Sequence, residues 1–368
     1  MNARDSVPIR SVKSAAFTVP TEEAESDGTL EWSETTLVLA EVDAGEAVGI
    51  GYTYASAAAA GLITEKLATA IVGGDAMDIP AAFENMRRAI RNLGTCGLCT
   101  MAISAVDNAL WDLKAKLLGL PLCKLLGQVR NEMPIYGSGG FCSYSDLRLQ
   151  EQLAHWVGEG TPRVKIKVGR DPERDFHRLS VARRTIGDGA MLFVDANSAY
   201  DRKQAAFYID RFASEYGVSW MEQPLTPEDR DGMRLLCELA PAPLEIADGE
   251  YCYDSADFRR FLETSSVDVL MADATRCGGI TGFLDADTLC AAWRMPLSSH
   301  CAPLQHLHVA CAARSYRHGE YFHDHVRIER MLFDGMPEPR DGALHPNLGL
   351  PGIGVEFKRA DARHYQVH

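Results

Sequence analysis

The chain has 368 residues, 46% hydrophobic and 24% charged, with 37 Lys+Arg against 51 Asp+Glu and a formal net charge of −14. This composition suits a folded globular protein and excludes disordered and fibrous architectures. The acidic balance argues against general nucleic-acid binding, which needs a clustered basic surface. No run of about 18 apolar residues could span a membrane, and the opening MNARDSVPIRSVKS lacks an apolar signal region. The expected setting is therefore the cytoplasm, with no membrane partner. The 10 cysteines lie mostly inside apolar stretches, as reduced thiols do, and the Cys96/Cys99 pair has no matching second pair for zinc.

At roughly 150 residues per domain the length predicts two domains. Residues 1–130 read as an α+β capping domain. It opens with the strand SVKSAAFTVP, the polar loop TEEAESDGTLEWSE and the strands TTLVLAEVDAG and EAVGIGYTY. Helical periodicity follows in GLITEKLATAIVG, IPAAFENMRRAIRNLG and MAISAVDNALWDLKAKLLG, each ending at Gly.

Residues 131–339 change texture. Eight short apolar strands alternate with helices: PIYGSGG, RVKIKVG, AMLFVDAN, GVSWMEQP, PLEIADGE, VDVLMAD, MPLSSH and a last one around GEYFHDH. The pattern predicts an α/β fold, a modified TIM (β/α) barrel. The Gly/Pro-rich tail, within 340–368, is expected to run back and complete the capping domain.

Polar residues recur at the carboxyl ends of these strands. Lys167 to Asp195 is 28 positions, Asp195 to Glu222 is 27, Glu222 to Glu250 is 28, and Asp273 to His300 is 27. One βα unit separates the members of each pair, and a parallel barrel brings all its strand ends to one face. Residues two apart share a face, which adds Lys165 beside Lys167 and Asn197 beside Asp195.

Converging carboxylates repel unless a cation sits among them, and hard oxygen donors favour Mg²⁺, with Mn²⁺ as a substitute. Such a cation, with hydrogen-bond donors, absorbs the charge built when a proton leaves the carbon beside a carboxylate. Lys167 is the expected base, its proton affinity lowered by Lys165 and the metal, while Lys165 stays charged and holds the substrate carboxylate. His300 approaches from the opposite side, its tautomer fixed by Asp273, and Glu320 reaches the substrate carboxylate from the last strand. Asp248 shares strand parity with Glu250 and competes with it as the third ligand; the Gly-Glu ending favours Glu250.

The polar segment Glu22–Glu31 and the segment containing Tyr52 and Tyr54 are expected to close over the barrel mouth, to order on ligand binding and to contact substrate. Their polarity suits a polyhydroxylated ligand; Trp32, Tyr52 and Tyr54 suit a more apolar one. Two paired-histidine segments, HLH at 306–308 and HDH at 323–325, fall just past the strand ends and are read as non-metal residues. Arg276 is read as an ion-pair residue.

The motifs AVDNALWDLKAKLLGLPLCKLLG (105–127), KIKVG (165–169), VDAN (194–197), MEQPL (221–225), IADGE (246–250), DATRCGGIT (273–281) and SSH (298–300) together resemble the enolase superfamily, in its mandelate racemase-like branch. The resemblance spans nearly the whole chain. It implies Mg²⁺ held by Asp195, Glu222 and Glu250, Lys167 as one acid/base, the His300–Asp273 pair as the other, and Glu320 as partner of the substrate carboxylate. It also implies α-proton abstraction from a small carboxylate substrate through an enediolate. Dehydration of an acid sugar to a 2-keto-3-deoxy acid is the favoured outcome, with racemisation or epimerisation as the alternative. A non-catalytic binding protein and a metal-dependent hydrolase are further alternatives, disfavoured by the intact ligands and bases and by the paired lysines. The chain is expected to act as a homo-oligomer.

Overall fold

A computed structural model describes residues 6–368. Its first layer is an antiparallel sheet of β1 (Ile9–Ser26), β2 (Glu31–Ala44) and β3 (Ala47–Tyr54), in that order. β2 and β3 turn through Gly45 and Glu46, where Gly45 takes φ 57°, a conformation that costs glycine little. The 20-residue helix Leu98–Leu117 lies across β3. It comes so close that a Cβ on Gly51 would sit 2.4 Å from the Ala105 carbonyl oxygen and from the Ala109 nitrogen.

The polar segment 21–34, expected as a loop, is mostly strand. β1 continues to Ser26 and β2 starts at Glu31, with a register shift between Pro20 and Glu25. Trp32 Nε1 donates to Glu25 Oε2 across the pair, and Asp27 Oδ1 accepts from the Thr29 and Leu30 amides to close the turn. This cross-strand pairing gives the segment a source of order within the chain itself. It also reaches the barrel, through Thr29 Oγ1 to the Asn197 carbonyl at 3.1 Å and Arg170 to Glu31 at 3.0 Å.

Eight parallel strands follow: β4 (Met133–Gly139), β5 (Arg163–Lys167), β6 (Met191–Asp195), β7 (Val218–Glu222), β8 (Glu245–Asp248), β9 (Val269–Ala272), β10 (Leu297–Ser299) and β11 (Tyr316–Phe322). They pair in chain order, and β11 pairs with β4 to close the barrel. Burial on both faces accounts for their nearly continuous apolar sequences. The last strand takes in the GEYF of GEYFHDH and stops at Phe322, because a helix starts at His323 and takes the HDH segment out of the sheet.

Inside the barrel Tyr136, Phe193, Trp220, Ala247, Val269 and Met271 form one buried cluster, with Phe193 stacked on Trp220 at 5.2 Å. This packed floor fixes which residues point inward. Two positions further along the strands the inward residues become polar, and they sit at the carboxyl ends.

The tail serves both layers. Ala343–Leu344 (β13) pairs with the start of β4, and Glu356–Phe357 (β14) pairs with Phe333–Asp334 (β12). Phe357 packs on Phe17 of β1 at 5.2 Å, and the Ala16 and Val367 amides bond to the carbonyls of His368 and Ala16. Among the described residues no helix is long and apolar enough to cross a membrane.

Candidate active site

Strand register builds the site. Lys167, Asp195 and Glu222 are paired neighbours on β5, β6 and β7, so their side chains leave the barrel wall at one level. Glu320 is level with Tyr136 of β4, while Asp273 and His300 continue the inward face just beyond β9 and β10. All seven residues at the strand ends are buried: Lys165, Lys167, Asp195, Glu222, Asp273, His300 and Glu320.

Lys165 Nζ lies 2.6 Å from Glu222 Oε2, 2.7 Å from Glu320 Oε1 and 3.5 Å from Asp195 Oδ2. Burial alone would discharge it, but Glu222, Glu320 and Asp195 outweigh burial and hold its proton affinity well above that of a free lysine. Lys167 Nζ bonds Asp195 Oδ2 at 2.6 Å. Its proton affinity is also raised: burial and Lys165 pull it down, and Asp195 prevails. The lowered affinity expected for Lys167 is thus absent while Asp195 pairs with it.

His300 Nδ1 is 2.8 Å from Asp273 Oδ2, the contact expected to fix its tautomer, and Nε2 faces Glu250 Oε2 at 3.0 Å. Burial lowers the ring's proton affinity, but contacts with Cys301, Glu250 and Asp273 outweigh it, so the affinity is raised. Glu250 and Asp273 are held low against burial by His300 and Arg276. Glu222 is pushed up to about 8 by burial and by Asp195 and Glu320, against the pull of Lys165.

Backbone geometry directs Asp248 and Glu250 differently. Ala247 faces the barrel interior, so Asp248 takes the opposite face with Ile246; it accepts from the Gly249 amide and does not line the cavity. Gly249, at φ 129°, breaks the alternation and brings Glu250 to the cavity wall. The parity argument pairing Asp248 with Glu250 fails because the strand ends between them.

A cavity of about 410 Å³ opens over these groups, lined by Lys167, Asn197, Glu250 and His300 from the barrel and by Trp32 and Tyr54 from the cap. Tyr54 stacks on His325 with ring centroids 3.4 Å apart. Tyr52, expected as a substrate contact, is fully buried and absent from the cavity wall. Its hydroxyl donates to Glu329 Oε1 at 2.6 Å between cap and barrel, which withdraws it from the substrate-contact set. His306 and His308 are used structurally, accepting from the Ala274 and Cys123 amides.

Arg276, set aside in the sequence, lines the cavity and pairs with Glu250 at 3.3 Å and Asp273 at 3.7 Å. Sequence reasoning missed Ser138, whose hydroxyl donates to Glu320 Oε1 at 2.6 Å, and Cys301, which lies against both His300 and Glu320. Parity with Tyr136 would have found Ser138. Cys301 was hidden among the apolar cysteines, although it directly follows a strand-end histidine.

The donor set fits a hard divalent cation. Asp195, Glu222 and Glu250 offer only oxygen, and the buried Glu222 Oε1 and Asn197 Oδ1 have no hydrogen-bond partner. The three carboxylates are not drawn to one point; each turns to a lysine, arginine or histidine neighbour.

The chain matches two family models: "Mandelate racemase / muconate lactonizing enzyme, N-terminal domain" over residues 18–127 and "Enolase C-terminal domain-like" over residues 148–362. The chain therefore belongs to the mandelate racemase/muconate lactonizing enzyme group of the enolase superfamily. A mandelate racemase/muconate lactonizing enzyme-like protein from Rubrobacter xylanophilus superposes with a TM-score of 0.96 at 48% identity, covering 98% of this chain and 100% of that one. The L-talarate/galactarate dehydratase of Salmonella typhimurium is 31% identical over 85% of this chain and 78% of its own length. The structure of L-talarate dehydratase from Polaromonas, complexed with Mg and L-glucarate, has a TM-score of 0.89 at 30% identity, covering 99% of this chain and 98% of that one.

Proposed function

We propose that this chain is a Mg²⁺-dependent enzyme that dehydrates an acid sugar to a 2-keto-3-deoxy acid. The observation that carries the reading is the placement of Lys167 and His300 on β5 and beyond β10, facing one cavity from different sides, with Glu250 in its wall, Asp195 paired to Lys167 and Glu222 paired to Lys165. The similarity to acid-sugar dehydratases, one crystallised with magnesium and L-glucarate, supports the reaction class and the cation.

Asp195, Glu222 and Glu250 would hold the magnesium. When bound, it supplies positive charge to a substrate carboxylate whose α-carbon is losing a proton. Lys165 remains charged and, with Glu320, Asn197 and Tyr54, orients the substrate. Lys167 Nζ takes the α-proton once Asp195 is engaged elsewhere and Lys165 is left as its nearest charged neighbour. His300 Nε2 gives its proton to the departing β-hydroxyl, which leaves as water, and the enol tautomerises to the 2-keto acid. Asp273 keeps the ring oriented through Nδ1. The cap hairpin at Trp32 and the Tyr54 edge exclude water from the cavity.

Two bases on different sides of one cavity also serve a racemase or epimerase, in which His300 returns the proton to the other face of the same carbon. Incubation with a panel of acid sugars, with 2-keto acid assay and α-hydrogen NMR in deuterated water, separates the outcomes. Keto acid supports dehydration. Exchange without keto acid replaces it with racemisation or epimerisation.

A further inference from the structure

We propose that His300, Cys301 and Glu320 form a second metal site, selective for a thiophilic ion such as Zn²⁺, on the acid/base side of the cavity. His300 Nε2 lies 3.2 Å from Cys301 Sγ, Cys301 Sγ lies 3.3 Å from Glu320 Oε2, and Glu320 Oε2 lies 3.8 Å from His300 Nε2. Tetrahedral zinc with one sulfur, one nitrogen and one oxygen ligand at ordinary bond lengths spaces those atoms about 3.3–3.6 Å apart. Among the described residues this is the set of three possible ligands whose donor atoms all fall within 4.8 Å of one another.

Each donor is aimed by contacts of its own. Asp273 takes Nδ1 of His300, the arrangement that leaves Nε2 directed at a metal. Glu320 Oε1 is held by Ser138 and Lys165, while Oε2 accepts from the Cys301 amide at 2.9 Å. Cys301 takes φ 49° and lines the cavity with His300, from which water would fill the fourth coordination position.

Softness separates this site from the neighbouring one. Asp195, Glu222 and Glu250 present only oxygen, whereas a thiolate and an imidazole favour zinc over magnesium. On binding, the Cys301 thiol and the protonated His300 ring, at Nε2, each lose one proton to solvent. The dication, thiolate, carboxylate and neutral ring then sum to no net charge. Glu250 shares His300 Nε2, so the site is tested with magnesium saturating, when the proposed function claims Glu250 for the other ion. Occupancy would block the nitrogen that carries the proton in the proposed function. That inhibitory consequence rests on the proposed function; the binding does not.

The test titrates the full-length chain with Co²⁺ as a spectroscopic stand-in for zinc in excess Mg²⁺. The expected result is one equivalent of a near-ultraviolet thiolate-to-cobalt charge-transfer band, displaced by Zn²⁺. It should vanish in Cys301→Ser and in the milder His300→Asn, and persist when the exposed Cys96 and the half-buried Cys99 are both changed to Ser. A band that survives Cys301→Ser, that is lost with Cys96 and Cys99, or that is absent at one equivalent overturns the proposal. Alongside, one equivalent of Zn²⁺ should lower 2-keto acid formation at least tenfold in the parent and far less in Cys301→Ser. An intact band with undiminished 2-keto acid formation would overturn the inhibitory role and the placing of His300 in catalysis, leaving the site itself in place.

Discussion

Lys167 Nζ and Asp195 Oδ2 are 2.6 Å apart, so the proposed base and a proposed metal ligand neutralise one another. A lysine paired in this way stays protonated through neutral pH and accepts no proton. Magnesium binding should therefore lower the pH at which Lys167 titrates, because it takes Asp195 from the pair and leaves Lys165 as the dominant neighbour. Nitrogen-15 NMR of the lysine Nζ, with Lys167→Arg to assign the signal, reads this directly. An unmoved titration on adding magnesium would remove Lys167 from the role of base.

The two acid/base groups should separate by variant. Lys167→Ala is expected to abolish both α-hydrogen exchange and keto-acid formation. His300→Asn should abolish keto-acid formation while exchange through Lys167 survives. Losses of about 10²–10⁴-fold are the scale for removing one acid or base. Rates of exchange and product formation, measured on the same samples, decide it; equal losses of both activities in His300→Asn would count against His300 as the acid for the leaving hydroxyl.

Glu329 gives the fold a pH dependence away from the cavity. It is buried between the Tyr52 hydroxyl and the Leu304 amide, and burial pushes its carboxyl up to about 8. A folded value above the unfolded one stabilises fully below the ordinary glutamate range, and that stabilisation is lost as pH rises through about 8. The swing is on the order of 5 kcal/mol. Glu329→Gln can still accept from Leu304 and donate to Tyr52, so it should raise the melting temperature at about pH 9 and change it little at about pH 5.5. A variant that melts lower at the higher pH would show that the ionised carboxylate is favoured there.

Gly51→Ala should loosen the cap. Its Cβ would meet backbone atoms of the helix Leu98–Leu117, which cannot give way as a side chain can. A loss of about 1–3 kcal/mol or more is expected in denaturant unfolding. An unchanged midpoint would mean that sheet and helix separate at little cost.

Most of the barrel was legible because strands buried on both faces write themselves as short apolar runs, and parallel closure turns the near-constant spacing of Lys167, Asp195, Glu222 and Glu250 into proximity. The failures are local. Segment 21–34 read as a loop because its strand face is polar, and its pairing depends on Glu25 meeting Trp32 across the turn. Tyr52 and Tyr54 share a strand face, yet only the second reaches the cavity, since Glu329 on a distant helix claims the first. Lys167 read as a poised base because the spacing shows which groups converge, while the pairing chosen among them emerges only from three-dimensional contact.

The most direct test of the central claim is α-hydrogen exchange in deuterated water with 2-keto acid analysis, across mono- and di-acid sugars with magnesium present. The account predicts a substrate that yields keto acid, with the product lost in Lys167→Ala and His300→Asn. Keto acid formed undiminished by Lys167→Ala, or neither exchange nor keto acid across the panel, would contradict it.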